Sequence, residues 1–378
     1  MSKSRRTTTA AAAIIVALMA APATSHAASA TWNGSTSTLW STGANWNTGN
    51  APGSNMGGGG SNTDIATFGA RGLGAFDPSW NNATANGEVA GLTFQDEWTL
   101  TMSSSNGSVR SSGGIDVNIP GNDGLVKITG TSQLRSSDSW ISTIATGDTL
   151  WIDVQRHYNS NDQLNTWNGG GTVLFTKNFS TTNNYKRMLV TANTTMAVNA
   201  SMHMGTNQTG KEIAVQIDNG SKLAGTGSIS AGGTSGGRNI LINGTVTPGW
   251  IAGPWGAAVV TATLTMTDVQ TVNLNGTYAV DIVGAAADLI AIHHLNLGGS
   301  SILNLTALTP LLNTPYTIAT YSGTRNGTFS NALPENWTID YGAGTNSAIT
   351  VMFIPEPASL ALLAAGGLLM LPRRKRVN

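Results

Sequence analysis

The chain has 378 residues and formal net charge zero, but only 10% of residues are Asp, Glu, Lys or Arg, against about 25% in ordinary soluble domains. An apolar fraction of 40% excludes a disordered chain, and the lack of cysteine excludes disulfides, thiolate metal sites and cysteine nucleophiles. Of the 19 basic residues, Lys3, Arg5, Arg6, Arg373, Arg374, Lys375 and Arg376 sit at the two ends, as does the acidic Glu356. The body between therefore keeps 12 basic against 18 acidic residues, offers no basic patch to a phosphate backbone, and makes nucleic acid an unsuitable partner.

Residues 1–27 have the pattern of a secretory signal peptide. Lys3, Arg5 and Arg6 form a basic start, Ala10 to Ala21 an apolar run, and Ser25-His26-Ala27 a small-residue site. Cleavage by signal peptidase is expected after Ala27, with Ala30 as the alternative, and the leader is expected to be helical. The export machinery is thereby a first partner. The Arg5-Arg6 pair lacks the apolar residue that twin-arginine export would want next to it.

From residue 31 to residue 354 no helical period is sustained. Short alternating runs recur instead: Leu150 to Val154, Thr172 to Phe175, Ile213 to Ile217, Ile240 to Ile242 and Thr277 to Val283. They end in Asp218-Asn219-Gly220, Asn243-Gly244 or Gly-Gly turns. Strand, tight turn, strand at uneven spacing predicts the rungs of a solenoid rather than a sandwich of set strand count. Gly and Asn suit the corners because both tolerate positive φ.

The stretches GTVTPG from Gly244, VNLNGTYAVDI from Val272 and ADLIAIHHLNLGGSSILNL from Ala287 follow one another. The opening segment carries Thr31-Trp32-Asn33-Gly34, Trp40-Ser41, Asn45-Trp46 and Asp64-Ile65-Ala66-Thr67-Phe68. Together with residues 316–351 these resemble the autotransporter-associated β-strand repeat over about two-fifths of the chain. The resemblance implies a right-handed parallel β-helix body, here without a translocator barrel after Val351. Residues 31–80 are expected to form a Trp- and Asn-rich capping module in which Trp32, Trp40 and Trp46 cover the first rung. Residues 81–353 are expected to form the solenoid.

Residues 354–378 have three parts. Pro355-Glu356-Pro357 precedes an apolar run from Ala358 to Leu371, and Pro372 leads into Arg373, Arg374, Lys375 and Arg376. As a helix the run would rise ~21 Å, short for a ~30 Å hydrocarbon core, and the basic cluster would stay cytoplasmic. This tail closely resembles the PEP-CTERM sorting signal of Gram-negative bacteria. The resemblance implies transient inner-membrane retention, removal of the tail by an exosortase-type membrane protease, and delivery to the outer surface or extracellular matrix.

Chemistry is sparse in the body. Asp96-Glu97 is the one adjacent acidic pair, and strand alternation would send its members to opposite faces. The same argument separates His293 from His294, one outward and one in the core, and His157 and His203 stand alone. Gly57 to Gly60 has no lysine at phosphate-loop spacing, and Thr209-Gly210-Lys211-Glu212 lacks the preceding glycine frame. Asp116, Asn122 and Asp123 are a weak calcium candidate, more simply a turn. No catalytic, cofactor or metal residue is assigned.

Eleven tryptophans are the one resource for sugar stacking, and Trp250 and Trp255, flanking Gly253-Pro254, are the candidates for it. The reading is a non-enzymatic surface or matrix protein. An extracellular carbohydrate-binding protein, with polysaccharide as partner, is the alternative. A β-helix polysaccharide lyase or hydrolase ranks below both.

Overall fold

The computed structural model describes residues 29–53, 63–80, 87–103, 108–121, 123–136, 139–158, 163–181, 186–205, 212–232, 237–249 and 261–354. It is an all-β chain, about 55% strand, wound into a parallel β-solenoid of about eight turns. The expected leader helix and the expected C-terminal apolar helix lie outside the described residues.

Three stacks of strands form the walls. The first runs through Leu125–Ser136, Thr149–Tyr158, Thr172–Phe175, Thr195–Val198, Lys222–Gly225, Thr245–Pro248, Thr277–Val283 and Ile302–Leu308, each parallel to the next. Leu125–Ser136 and Thr149–Tyr158 are long enough to bend into the second wall. There they pair with Ser108–Ser111 and Phe179–Thr181 respectively. The bend is placed by Gly130 at φ +124°, where a Cβ would lie 2.1 Å from the Met102 carbonyl oxygen. The third wall is built from Trp140–Thr143, Leu164–Asn168, Arg187–Val190, Ile213–Ile217, Asn239–Ile242, Val272–Leu274 and Leu295–Leu297.

Period-two alternation turns every second side chain inward, and parallel register then stacks like on like. One ladder reads Val126, Leu150, Val173, Met196, Leu223, Val246, Tyr278 and Leu303. All of them are completely or almost completely buried. The third wall contributes Trp167, Val190, Ile217, Ile242, Leu274 and Leu297, paired in the same way. Each such side chain contributes ~1.5–3 kcal/mol relative to an exposed one. No single rung can bury its own stripe, so cohesion comes from neighbours. The turns are uneven. Thr195 follows Thr172 by 23 residues, Lys222 follows Thr195 by 27, and Thr277 follows Thr245 by 32. Most of the extra length falls between strands, and breaks in register remain within the walls at Asp153/Gln155, Ile213/Val215 and Ser228/Ser230.

At the N-terminal end Ala30–Trp32 pairs parallel with Ile65–Phe68. Its other edge is covered by chain running the opposite way. Asn33 N–H donates to the Asn45 carbonyl at 2.8 Å and Asn47 N–H to the Thr31 carbonyl at 2.9 Å. Trp32 packs edge-on against Trp46 at 5.0 Å, Trp46 against Trp40 at 4.8 Å, and Trp40 against Trp80 at 5.0 Å. The indole N–H groups of Trp32, Trp46 and Trp40 donate to the carbonyls of Phe76, Trp40 and Pro52 respectively, so these three donors are paired, while the buried Trp80 N–H has no hydrogen-bond acceptor. Beneath them lie Phe68 and Phe94, stacked at 4.6 Å. Asn45 organises the loop. Its Oδ1 accepts from the N–H of Thr36 and Ser37, and its Nδ2 donates to Ser37 Oγ and the Leu39 carbonyl.

The C-terminal end is closed by a change of strand direction. Pro315–Tyr321 pairs parallel with Leu289–Ile292 on one side and antiparallel with Ser347–Phe353 on the other. Trp337–Asp340 completes the antiparallel cap. On the first wall the side chain of Asn331 takes the place of a further rung: its Oδ1 accepts from Leu303 N–H and its Nδ2 donates to the Leu303 carbonyl, both at 2.9 Å.

Replacement of Asn45 by alanine strips both acceptors and donors from a completely buried hub. Loss of about 2–4 kcal/mol is expected, read as a lower urea midpoint with little change in the slope of the transition.

Candidate functional site

The residues singled out from the sequence fall into two groups. Ala27, Trp250, Trp255, Pro355, Glu356, Pro357, Arg373, Arg374, Lys375 and Arg376 lie outside the described residues, as do the runs 57–60 and 209–211. The remainder can be placed.

Asp96 and Glu97 do not lie in a strand, as alternation assumed, but in the bend between Gly91–Phe94 and Thr99–Met102. Asp96 Oδ2 accepts from Arg71 N–H at 2.6 Å, Oδ1 accepts from Glu97 N–H, and Glu97 Oε1 accepts from Leu125 N–H. Arg71 also pairs with Asp77 at 3.0 Å and lies 4.9 Å from the Trp98 ring. These carboxylates tie successive rungs together. In the calcium candidate, Asp116 Oδ1 accepts from Thr143 N–H, and the neighbouring turn is held by Asp148, whose carboxylate accepts from the N–H of Ile119 and Gly124. Asp148 is completely buried, and no sequence signal marked it. Asn122 is outside the described residues. Among the described residues no three His, Cys, Asp or Glu side chains lie close enough to share a metal ion.

The histidine pair also departs from expectation. His293 and His294 occupy the corner between Leu289–Ile292 and Leu295–Leu297, where strand alternation does not apply. Both rings are half-exposed, with centroids 4.1 Å apart. His294 Nδ1 accepts from Thr324 N–H at 2.8 Å, so its neutral form carries the proton on Nε2. His293 Nδ1 lies 2.8 Å from Ser322 Oγ. Loss of solvent around the ring, followed by the neighbouring His294, holds His293 below its ordinary pKa. Gly323 makes room for the pair, because a Cβ there would meet the His294 ring at 2.4 Å. His203 bonds Ser230 Oγ at 2.8 Å across two rungs.

Tryptophan is largely interior. Trp32, Trp40, Trp46, Trp80, Trp98, Trp140 and Trp167 are all buried, while Trp151 and Trp337 are half-buried. Trp151 lies under the Lys127 ammonium at 3.8 Å and donates to Thr176 Oγ1 at 2.7 Å. These contacts occupy part of its ring.

An open groove rich in neutral polar groups follows the stacked Asn-Gly corners of the first wall. Asn219, Asn243 and Asn275 line it, with Thr245, Thr277 and Ser300 beside them. Asn275 Nδ2 donates to Asn243 Oδ1 at 3.1 Å, and Ser300 Oγ donates to the Asn275 carbonyl at 2.6 Å. Gly244 and Gly276 let the corners stack this closely, since a Cβ on Gly276 would lie 1.9 Å from the Gly244 carbonyl oxygen.

One carboxyl is strongly perturbed. Asp288 is completely buried beside the turn that joins Thr277–Val283 to Ala286–Ala287. Its Oδ1 accepts from Ala262 N–H at 2.9 Å and its Oδ2 from Asp281 N–H at 3.1 Å. Burial raises its pKa to about 6, those two N–H donors pull it down, and the charge of Asp281 adds to the rise. Tyr278 is pushed well above its ordinary value by burial and by the charge of Asp288, and its hydroxyl donates to the Ile318 carbonyl. The pair braces the last full turn.

No family model matches the chain. No curated protein matches it either.

The shift at Asp288 has a definite sign. A carboxyl of ordinary value 3.8 raised to about 6 binds its proton more tightly in the folded chain. Its contribution to stability is fully present below about pH 4 and is lost as pH rises through about 6. Urea denaturation of wild type and Asp288→Asn across pH 4–7 checks this. The variant should lose the downward slope between pH 4 and 6, a slope of at most one proton.

Proposed function

We propose that this chain is an exported, non-enzymatic structural or interaction protein of the cell surface or extracellular matrix. It is delivered by a cleaved N-terminal leader and released from the inner membrane by proteolysis of its C-terminal tail. The coil is right-handed, the hand taken by about 98% of parallel crossover connections. The observation that carries this reading is the closure of both ends of the solenoid by antiparallel chain, at Asn33–Asn47 and at Trp337–Phe353. A stack with open ends would present unpaired strands and polymerise through them. A stack with closed ends is a finite rigid rod that can be released at high concentration. Its walls present Thr, Ser and Asn outward, as in Thr172, Thr195, Thr245 and Thr277 on the first wall. Such a surface hydrogen-bonds to neutral partners and is little affected by salt.

A second reading, carbohydrate binding, is favoured by the Asn-Gly groove. Its amides and hydroxyls are the groups that pair with sugar hydroxyls. Trp250 and Trp255 follow the strand Thr245–Pro248 in sequence and would add stacking faces to that reading.

Fractionation of the producing cell with intact-mass measurement tests the leading reading. A product that begins near Ala28, ends near Pro355 and is found outside the cell is expected. A product that retains residues 358–378 in the inner membrane overturns release, and leaves an anchored protein.

A further inference from the structure

Five large apolar side chains converge at one end of the described chain in exposed positions: Val283, Leu308, Leu311, Leu312 and Ile354. They come from separate elements brought to one place. Val283 and Leu308 are register partners at the ends of adjacent strands. The loop that carries Leu311 and Leu312 is pinned beneath. Leu311 N–H donates to Tyr316 Oη at 2.6 Å, and that hydroxyl donates to the Gly284 carbonyl at 2.7 Å. Ile354 joins them because Asn313 N–H donates to the Phe353 carbonyl at 2.9 Å and Ile354 N–H to the Asn336 carbonyl at 2.7 Å. Scattered exposed leucines need no explanation, but a contiguous group does. No Asp, Glu, Lys or Arg occurs between Ser301 and Thr324. Half-buried Trp337 and Phe353 flank the group, their rings 5.4 Å apart. Glu335 borders it on one side.

The point where the chain leaves this patch limits what can cover it. Ile354 belongs to the patch, and the apolar run of the tail begins at Ala358. Four residues span at most ~14 Å when fully extended. A headgroup layer is ~5–8 Å thick, taken as half the difference between a ~40–45 Å bilayer and its ~30 Å hydrocarbon core. If Ala358 stands at the hydrocarbon boundary, Ile354 lies within ~6–9 Å of the membrane surface. We infer that Val283, Leu308, Leu311, Leu312 and Ile354 form a lipid-facing foot that seats the solenoid on the bilayer while its tail is inserted. This rests on the reading that residues 358–371 enter a membrane. The tether supplies a high local concentration of lipid, so even weak apolar contact is realised. Trp337 and Phe353 stand at the level where aromatic rings favour the interface. The seating holds the rod in one orientation and brings the Pro355-Glu356-Pro357 segment against the membrane surface, where a membrane-embedded protease would reach it.

The absence of native cysteine allows the test on the full-length chain. Single variants Leu312→Cys, Leu363→Cys and Leu73→Cys would carry an environment-sensitive fluorophore, with the protein in vesicles of phosphatidylethanolamine and phosphatidylglycerol. Leu73 is a fully exposed position near the N-terminal cap. The expected result is a blue shift, with several-fold protection from an aqueous quencher, at 363 and at 312 but not at 73. Protection at 363 with a water-exposed 312 overturns the foot and leaves the inserted tail standing. Exposure at both 363 and 312 overturns tail insertion, and the foot with it. Protection at 312 that is equal with and without vesicles shows that protein covers the patch, either the chain's own tail or a second copy, and overturns the lipid assignment.

Discussion

Because the strands of each rung pair only with those of the rung before and the rung after, every other feature of this protein answers to parallel register. Stacking places Leu150 over Val126, Val173 over Leu150 and Met196 over Val173. A slip of one residue would turn the whole inward ladder to solvent. Excess chain is taken up within a wall only as a local break in register, at Asp153/Gln155, Ile213/Val215 and Ser228/Ser230. The rest falls between strands, so turns of 23, 27 and 32 residues coexist in one coil. The positions that tolerate variation are thereby separated from the positions that hold the fold.

The same constraint gives the corners their chemistry. Glycine at 244 and 276 permits backbone approach that any side chain would block, and asparagine beside it bonds across the rungs through Asn243 and Asn275. The stacked turns thus become a polar groove as a by-product of tight packing. Buried charge follows a related logic. Arg238 sends its guanidinium to the carbonyls of Met204 and Ile213, and Lys186 reaches Gln163 Oε1 at 2.6 Å. These two cations are held by carbonyl oxygens of neighbouring turns and fasten one rung to another, while the buried Arg156 guanidinium lies 3.9 Å from the Trp140 ring.

A stack of this kind has two ends, and they are treated differently. The first is sealed by a knot of tryptophan rings organised by Asn45. The last is sealed by reversal of strand direction, with Asn331 standing in for a missing rung. The C-terminal end carries Leu308, Leu311 and Leu312 exposed close together in sequence, and it is the end from which the apolar tail departs. This polarity gives the rod a membrane-proximal and a membrane-distal pole, in keeping with its proposed passage from the inner membrane to the exterior.

The sequence by itself determined the fold class. Alternation in Leu150 to Val154 and in Thr277 to Val283, closed by Asn-Gly turns, is a local property, and inward and outward faces follow from it directly. The burial of Trp32, Trp40 and Trp46 was also legible, because aromatic rings at the start of a stack have an open first rung to cover. Only the tertiary structure decided what happens at corners and ends. His293-His294 and Asp96-Glu97 were read with strand alternation, yet both sit in bends, where alternation has no force and side chains point as the turn directs. Asp148 and Asp288 looked like scattered acids, because their backbone donors come from other turns of the coil or across a tight turn. Local pattern did not mark Leu308, Leu311 and Leu312. They are exposed because the solenoid has no further turn to place over them, and that is a fact about where stacking stops rather than about which residues stack.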